Sequence, residues 1–331
     1  MNIIINKIKK LLKLCVFITI ILTLSGCKKN VTNESFIKSI SDINSYALEG
    51  TLTTYFPSGE KVSKVLVNYN KPNYYVELTN PETNHNQILI KNNDGVHIIV
   101  SNIKKSFKIN STWPNNSTYP YIIESISKEL LNDDVITEQI DDYTVFITSV
   151  HLFNENYTET LKVYVDKNNN LKEITLTDKD NNLMSKFIIT KFEKNINIDS
   201  SIFNVSETFT YLENNEFDFS LDRYITYPTY QIEGTYKESE VIRKLSLDTY
   251  AIMTVSGSVD YTIVEQYVHE DSVIPSEYSG SIFTFLECFC IVNSNNVVFY
   301  NNGIEYKIAS NNLDIFELIK IGESLIEENQ K

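Results

Sequence analysis

Between Ala47 and Asn110 the chain alternates apolar and polar residues through six segments: ALEGTLTTYF, KVSKVLVNYN, NYYVELT, NQILIKN, GVHIIVS and KSFKIN. In KVLVNY, Val65, Val67 and Tyr69 take one face while Leu66 and Asn68 take the other. A period of two marks a half-buried strand, because successive side chains point to opposite faces of a pleated sheet. The breaks between segments are turn chemistry: PSGE at 57–60, NPETNHN at 80–86 and NNDG at 92–95. Short Asn, Asp, Gly and Pro connections between strands of this kind imply antiparallel neighbours, so this part of the chain is committed to a meander.

Elsewhere the period shifts. Phe36, Ile37, Ile40 and Ile43 recur at helical spacing before the first strand. Pro120 suits the first position of a helix whose apolar face is Ile122, Ile123, Ile126 and Leu130. Strands resume in DYTVFITSV, TLKVYVD, LKEITLTD and MSKFIITKFE, with the turns DKNNNL at 166–171 and DKDNNL at 178–183. About ten strands in an open sheet curl, and helices relieve an apolar face that would otherwise be wet. Residues 27–205 therefore read as a curved antiparallel sheet with helices on its concave side.

Periodicity weakens and acids accumulate over 206–224, which reads as a linker. Beyond it, 225–331 carries strands in TYAIMTVSG, VDYTIVEQYV, IFTFLECFCIV, NVVFYN and IEYKIAS. The closing helix NLDIFELIKIGESLIEEN has Ile315, Leu318, Ile319, Leu325 and Ile326 on one face, with Asn311 and Asn312 as candidate caps. The expected class is α+β throughout, with a smaller α+β domain at 225–331.

The first 26 residues belong to neither domain. Lys7, Lys9, Lys10 and Lys13 precede an uncharged run of 11 residues, Leu14–Leu24, too short for the roughly 20 that span a bilayer. This is a signal peptide. Its end, LSGC at 24–27, resembles the lipobox of bacterial lipoproteins, which implies cleavage after Gly26 and a diacylglyceryl, palmitate-type anchor on Cys27. Several acyl chains on one cysteine hold stably, since each buried methylene contributes about 0.8 kcal/mol. The mature protein is then expected on the outer face of the cell membrane. Losing 1–26 removes four lysines and no acid, so the net charge falls from −14 to −18. Such an acidic body is a poor partner for nucleic acid or anionic head groups.

No catalytic or metal motif emerges. His85, His97, His151 and His269 are isolated in sequence, and there is no P-loop, G-x-S-x-G or H-E-x-x-H. The DKDNN turn departs from a calcium loop, with Leu183 and Ile189 where Gly and a bidentate Glu are needed. Cys288 and Cys290, at i and i+2 of a strand, stand about 6.5–7 Å apart by strand rise, at the edge of disulfide reach. A buried reduced pair is expected. No cofactor, no metal and no enzymatic activity are expected.

SYALEGTLTTYFPSGEKVSKVLVNYNKPNYYVEL, QILIKNNDGVHIIVSNIKKSFKINSTWPNNSTYPYIIESI, LKVYVDKNNNLKEITLTD and FEKNINIDSSIFNV together cover about 46–205. They resemble the LolA/LolB/RseB-like superfamily of outer-membrane lipoprotein carriers, in its Gram-positive, GerS-like branch of sporulation and germination lipoproteins. The resemblance implies a half-open β-barrel whose apolar concave face holds acyl chains or a partner protein. It implies a non-enzymatic role with a partner such as a cell-wall amidase, a lipid or lipoprotein chaperone, or an RseB-type signalling sensor. Trp113, Tyr121, Ile122 and Ile126 are the candidate apolar cavity wall. The single tryptophan, set among Asn, Ser and Thr where the strand SFKIN hands over to the helix, reads as a fold marker whose indole N–H reaches a rim acceptor.

Overall fold

The computed structural model describes residues 31–56, 59–101, 105–115, 117, 119–152, 158–208, 225–245, 248–268, 277–285, 287–301 and 303–327. The signal segment, Cys27, His269 and residues 209–224 of the expected linker lie outside them.

Helix α1 (Asn33–Ser41) opens the fold behind a reciprocal cap, in which the Thr32 hydroxyl accepts from the Ser35 amide and the Ser35 hydroxyl from the Thr32 amide. Six antiparallel strands follow: β1 (Ser45–Phe56), β2 (Gly59–Asn70), β3 (Asn73–Thr79), β4 (Asn86–Asn92), β5 (Gly95–Val100) and β6 (Lys105–Asn110). Helix α2 (Ile123–Glu129) then precedes β7 (Ile136–Ile140), β8 (Tyr143–Val150), β9 (Glu159–Asp166), β10 (Leu171–Thr177) and β11 (Leu183–Lys194). A short 3-10 turn covers Ser200–Phe203. The remaining strands are β12 (Thr235–Leu245), β13 (Asp248–Gly257), β14 (Tyr261–Tyr267), β15 (Glu277–Ser279), β16 (Ser281–Phe285), β17 (Cys288–Val292), β18 (Asn296–Asn301) and β19 (Ile304–Ala309). Helix α3 (Ile315–Glu327) closes the described chain.

These strands form two sheets. The larger has twelve strands in the order β15-β6-β5-β4-β3-β2-β1-β11-β10-β9-β8-β7, and the smaller seven in the order β12-β13-β14-β19-β18-β17-β16. Neither is closed, so the observed class is two open sheets with few helices. The two meanders of the larger sheet meet where β1 pairs β11, from Tyr46↔Lys194 to Thr54↔Ser185. Alternation holds: Val65, Val67 and Tyr69 are buried as the pattern predicts. The twin turns share one geometry. Each of Asp166 and Asp178 accepts two backbone amides at 2.8–2.9 Å through Oδ1, and Asn169 and Asn181 both take φ 62°.

Three elements differ from the sequence reading. IFTFLECFCIV is a hairpin of β16 and β17, reversed at Glu287 with φ 63°. Helix α2 starts three residues after Pro120, because the Tyr119 amide donates to Ser125 Oγ and the Ile122 amide to the Tyr119 carbonyl, which holds 119–122 in a turn. Helix α3 is capped by Asp314, whose carboxylate accepts the Glu317 amide at 2.9 Å, and not by Asn311 or Asn312.

The sheets are joined by chain and by side chains. β15 pairs parallel to β6 in the larger sheet and β16 pairs β17 in the smaller, so the chain changes sheet at Gly280. A Cβ there would lie 2.6 Å from the Val292 carbonyl oxygen, and φ is +153°, so glycine alone fits the corner. Buried apolar residues from both sheets, from Phe36 to Ile326, form one continuous core. Ile88, Ile90 and Ile99 form a second cluster with Tyr75 and Val205, which explains why β4 and β5 are apolar on both faces.

Candidate functional site

The residues expected to wall a cavity are placed in tight packing. Trp113, Tyr121, Ile122 and Ile126 are each no more than 1% exposed. The Trp113 ring meets Tyr74 edge-on with centroids 5.3 Å apart and Tyr119 at 5.8 Å. Its Nε1 is buried and has no hydrogen-bond partner among the described residues, so the expected rim acceptor is absent there. Tyr121 borders a cavity of about 30 Å³ shared with Leu52, Leu176 and Phe283. That space suits about one water molecule and no acyl chain. The Tyr121 hydroxyl bonds Thr284 of β16, which ties the loop before α2 to the smaller sheet.

A second group on this face is a half-buried carboxylate. Glu124, in the first turn of α2, accepts from the Tyr46 hydroxyl at 3.0 Å, while that same oxygen receives the Ile123 amide at 3.4 Å. Tyr69 and Tyr74 pack in series beside Tyr46 as tilted rings, with centroids 5.0 and 4.6 Å apart. Burial pushes the Glu124 carboxyl up, against the pull of the tyrosine hydrogen bonds, and it pushes Tyr69 up to about 12. This cluster clamps α2 onto β1–β3.

The roomy site lies elsewhere, at the end of β1 and β11 facing α3. This cleft of about 780 Å³ has Tyr55, Phe56, Leu183, Met184, Phe316 and Ile319 as its apolar lining. Lys179, Lys320, Asp178 and Asp314 stand around it. Glu159, only 2% exposed, accepts the Leu152 amide at 3.2 Å, and burial pushes its carboxyl up. On the α3 side Tyr230 donates to Glu317 at 2.7 Å, which pushes its phenol up to about 12, and Glu317 also holds Lys320 at 2.7 Å. An apolar floor with charges at the edge suits an apolar ligand or segment with a polar end. The sequence reading missed it because its walls come from β1, the β10–β11 turn and α3, more than 250 residues apart.

Other sequence candidates are structural. His97 lies 3.2 Å from Asp94 on an adjacent turn. Cys288 and Cys290 are buried and not joined by a disulfide, with sulfurs 3.9 Å apart. Among the described residues no three His, Cys, Asp or Glu side chains gather to hold a metal, and no helix is long and apolar enough to cross a membrane.

Comparison with known proteins finds a match along most of the chain. The chain is 22% identical over 323 residues to "Sporulation protein YdcC" of Bacillus subtilis (strain 168), covering 94% of this chain and 95% of that one. The likeness runs from end to end. No family model matches. Solved structures that resemble it include the MucA/MucB complex of Pseudomonas aeruginosa, at 9% identity, TM-score 0.32, and coverage of 88% of this chain and 97% of that one. A LolA superfamily protein from Nitrosomonas europaea matches at 13% identity and TM-score 0.31, over 54% of this chain and 99% of that one.

Proposed function

We propose that this protein is a non-catalytic binding protein of spore formation or germination, held on the outer face of the cell membrane by the lipid on Cys27. The observation that carries the reading is the match to a sporulation protein across both sheets, and not across one module alone. The signal sequence and lipobox support the anchor. In this reading the larger sheet serves as a half-open barrel scaffold. The cleft between it and α3 takes an apolar segment of a protein partner, such as a cell-wall enzyme.

The test is genetic and structural together. In a sporulating host, a deletion strain is expected to form or germinate spores poorly, and the wild-type gene to restore it. A Phe316→Glu variant, confirmed as folded by its Trp113 emission, is expected to fail to restore. Normal spores from the deletion strain would sink the role; full restoration by Phe316→Glu would remove the cleft from it.

The apolar floor of the cleft also favours a second reading, in which it holds an acyl chain as a lipid or lipoprotein chaperone does. Purified protein would then carry fatty acyl groups in native mass spectrometry, and Phe316→Glu would lose them.

A further inference from the structure

Strand β12 is the outer strand of the smaller sheet and pairs only with β13 among the described residues. It is open on both faces, with Tyr236 62%, Val241 42% and Ile242 49% exposed. A long edge with exposed apolar residues and a free row of backbone donors and acceptors is a template for another strand. We propose that its occupant is β12 of a second copy, added antiparallel across a two-fold axis, which would make one continuous sheet through the dimer.

Charge and register single out this occupant. The chain as a whole carries −14, but β12 holds Lys237, Arg243 and Lys244 against Glu238 and Glu240, a net of +1. It is therefore a place where two acidic bodies meet without opposing like charge. The register with β13 is irregular between Lys237 and Ser239 and then runs unbroken from Ser239↔Thr254 to Leu245↔Asp248. The straight run 239–245 has its midpoint at Ile242. Pairing that run with itself sets Ile242 on the axis and Val241 opposite Arg243. Opposite charges across a strand pair stabilise and like charges destabilise, and this register opposes none of like sign.

The other edges do not fit: β15 has only 3 residues. The midpoint of β7 is Glu138, which self-pairing would set against itself. β16 has Ile282 and Phe283 buried, with Phe283 packed 6.0 Å from Tyr119.

Short bis-maleimide cross-linking of the full chain in detergent tests the register. Ile242→Cys is expected to give a covalent dimer at least tenfold in excess of Ser239→Cys, whose copies would stand about 20 Å apart at ~3.3 Å per residue over six residues. Equal yields from the two variants, or no dimer from either, would overturn the proposal. Sedimentation of the uncross-linked protein gives the second readout. The wild type is expected to dimerise with rising concentration and Ile242→Lys to weaken the dimer at least tenfold. A wild type that stays monomeric, or a dimer untouched by Ile242→Lys, would equally defeat it.

Discussion

The side-chain amide of Gln87 in β4 donates to the backbone carbonyl of Tyr300 in β18 at 3.0 Å. Its Oε1 accepts the Phe289 amide of β17 at the same distance. The ladder between β17 and β18 pairs Ile291↔Val298 and Val292↔Val297, and continued by two residues it would bring Phe289 opposite Tyr300. Gln87 stands in that gap, so one side chain from the larger sheet completes the hydrogen bonding of the smaller. Nearby, Phe107 stacks on the Tyr300 ring at 4.4 Å, and Tyr278 and Tyr300 both donate to Glu305.

Gln87→Ala is therefore expected to cost about 3 kcal/mol, since it strands a buried N–H and a buried C=O at about 1–3 kcal/mol each. Urea unfolding followed by Trp113 emission measures it. A loss under about 1 kcal/mol would mean that water replaces the amide.

Gly280 and Gly59 separate backbone strain from steric conflict. Both have φ near +150°, but a Cβ at Gly280 meets the Val292 oxygen at 2.6 Å whereas one at Gly59 meets nothing within 4 Å. Gly280→Ala is expected to be the worse by about 2 kcal/mol, the usual cost of overpacking. Thermal melts of the two variants compare them directly.

Trp113→Ala should cost about 3–5 kcal/mol as a fully buried aromatic truncation. Trp113→Phe should cost clearly less, because the indole N–H has no hydrogen-bond partner among the described residues. Both are read from chemical denaturation by circular dichroism. Equal losses in the two would show that the N–H is satisfied.

Glu124 gives a signed pH prediction. Burial raises its folded pKa above the unfolded value, so its contribution is fully present below the unfolded pKa and is lost as pH rises through the folded one. Glu124→Gln removes that loss and should gain in stability relative to wild type as pH climbs from 4 to 8. Glu159 and Glu287 shift the same way, so the difference between the two proteins, and not either curve alone, isolates Glu124. A gap that narrows with rising pH would contradict the assignment.

Local order was largely legible in the sequence. Alternation placed Val65, Val67 and Tyr69 inward, Asp–Asn turns placed the reversals after β9 and β10, and helical spacing located α1, α2 and α3, but not the helical residues 205–208. The site was less so. The four residues chosen as a cavity wall are apolar and adjacent to a helix, which is equally the description of a packed core, and periodicity carries no measure of empty space. Leu286–Glu287 gave no turn signal, since a single residue at positive φ was enough to fold one apolar run into two strands.

What the sequence determined by itself was whatever depends on neighbours within a few residues: strand faces and turn geometry. What only the tertiary structure decided depends on segments far apart. These are the union of β1 with β11 some 140 residues away, the crossing of the chain between sheets at Gly280, the insertion of Gln87 between two distant strands, and the cleft beneath α3. Short-range preferences act on every conformation the chain samples, whereas contacts of this kind gain their energy only after loop closure has been overcome and apolar faces have met.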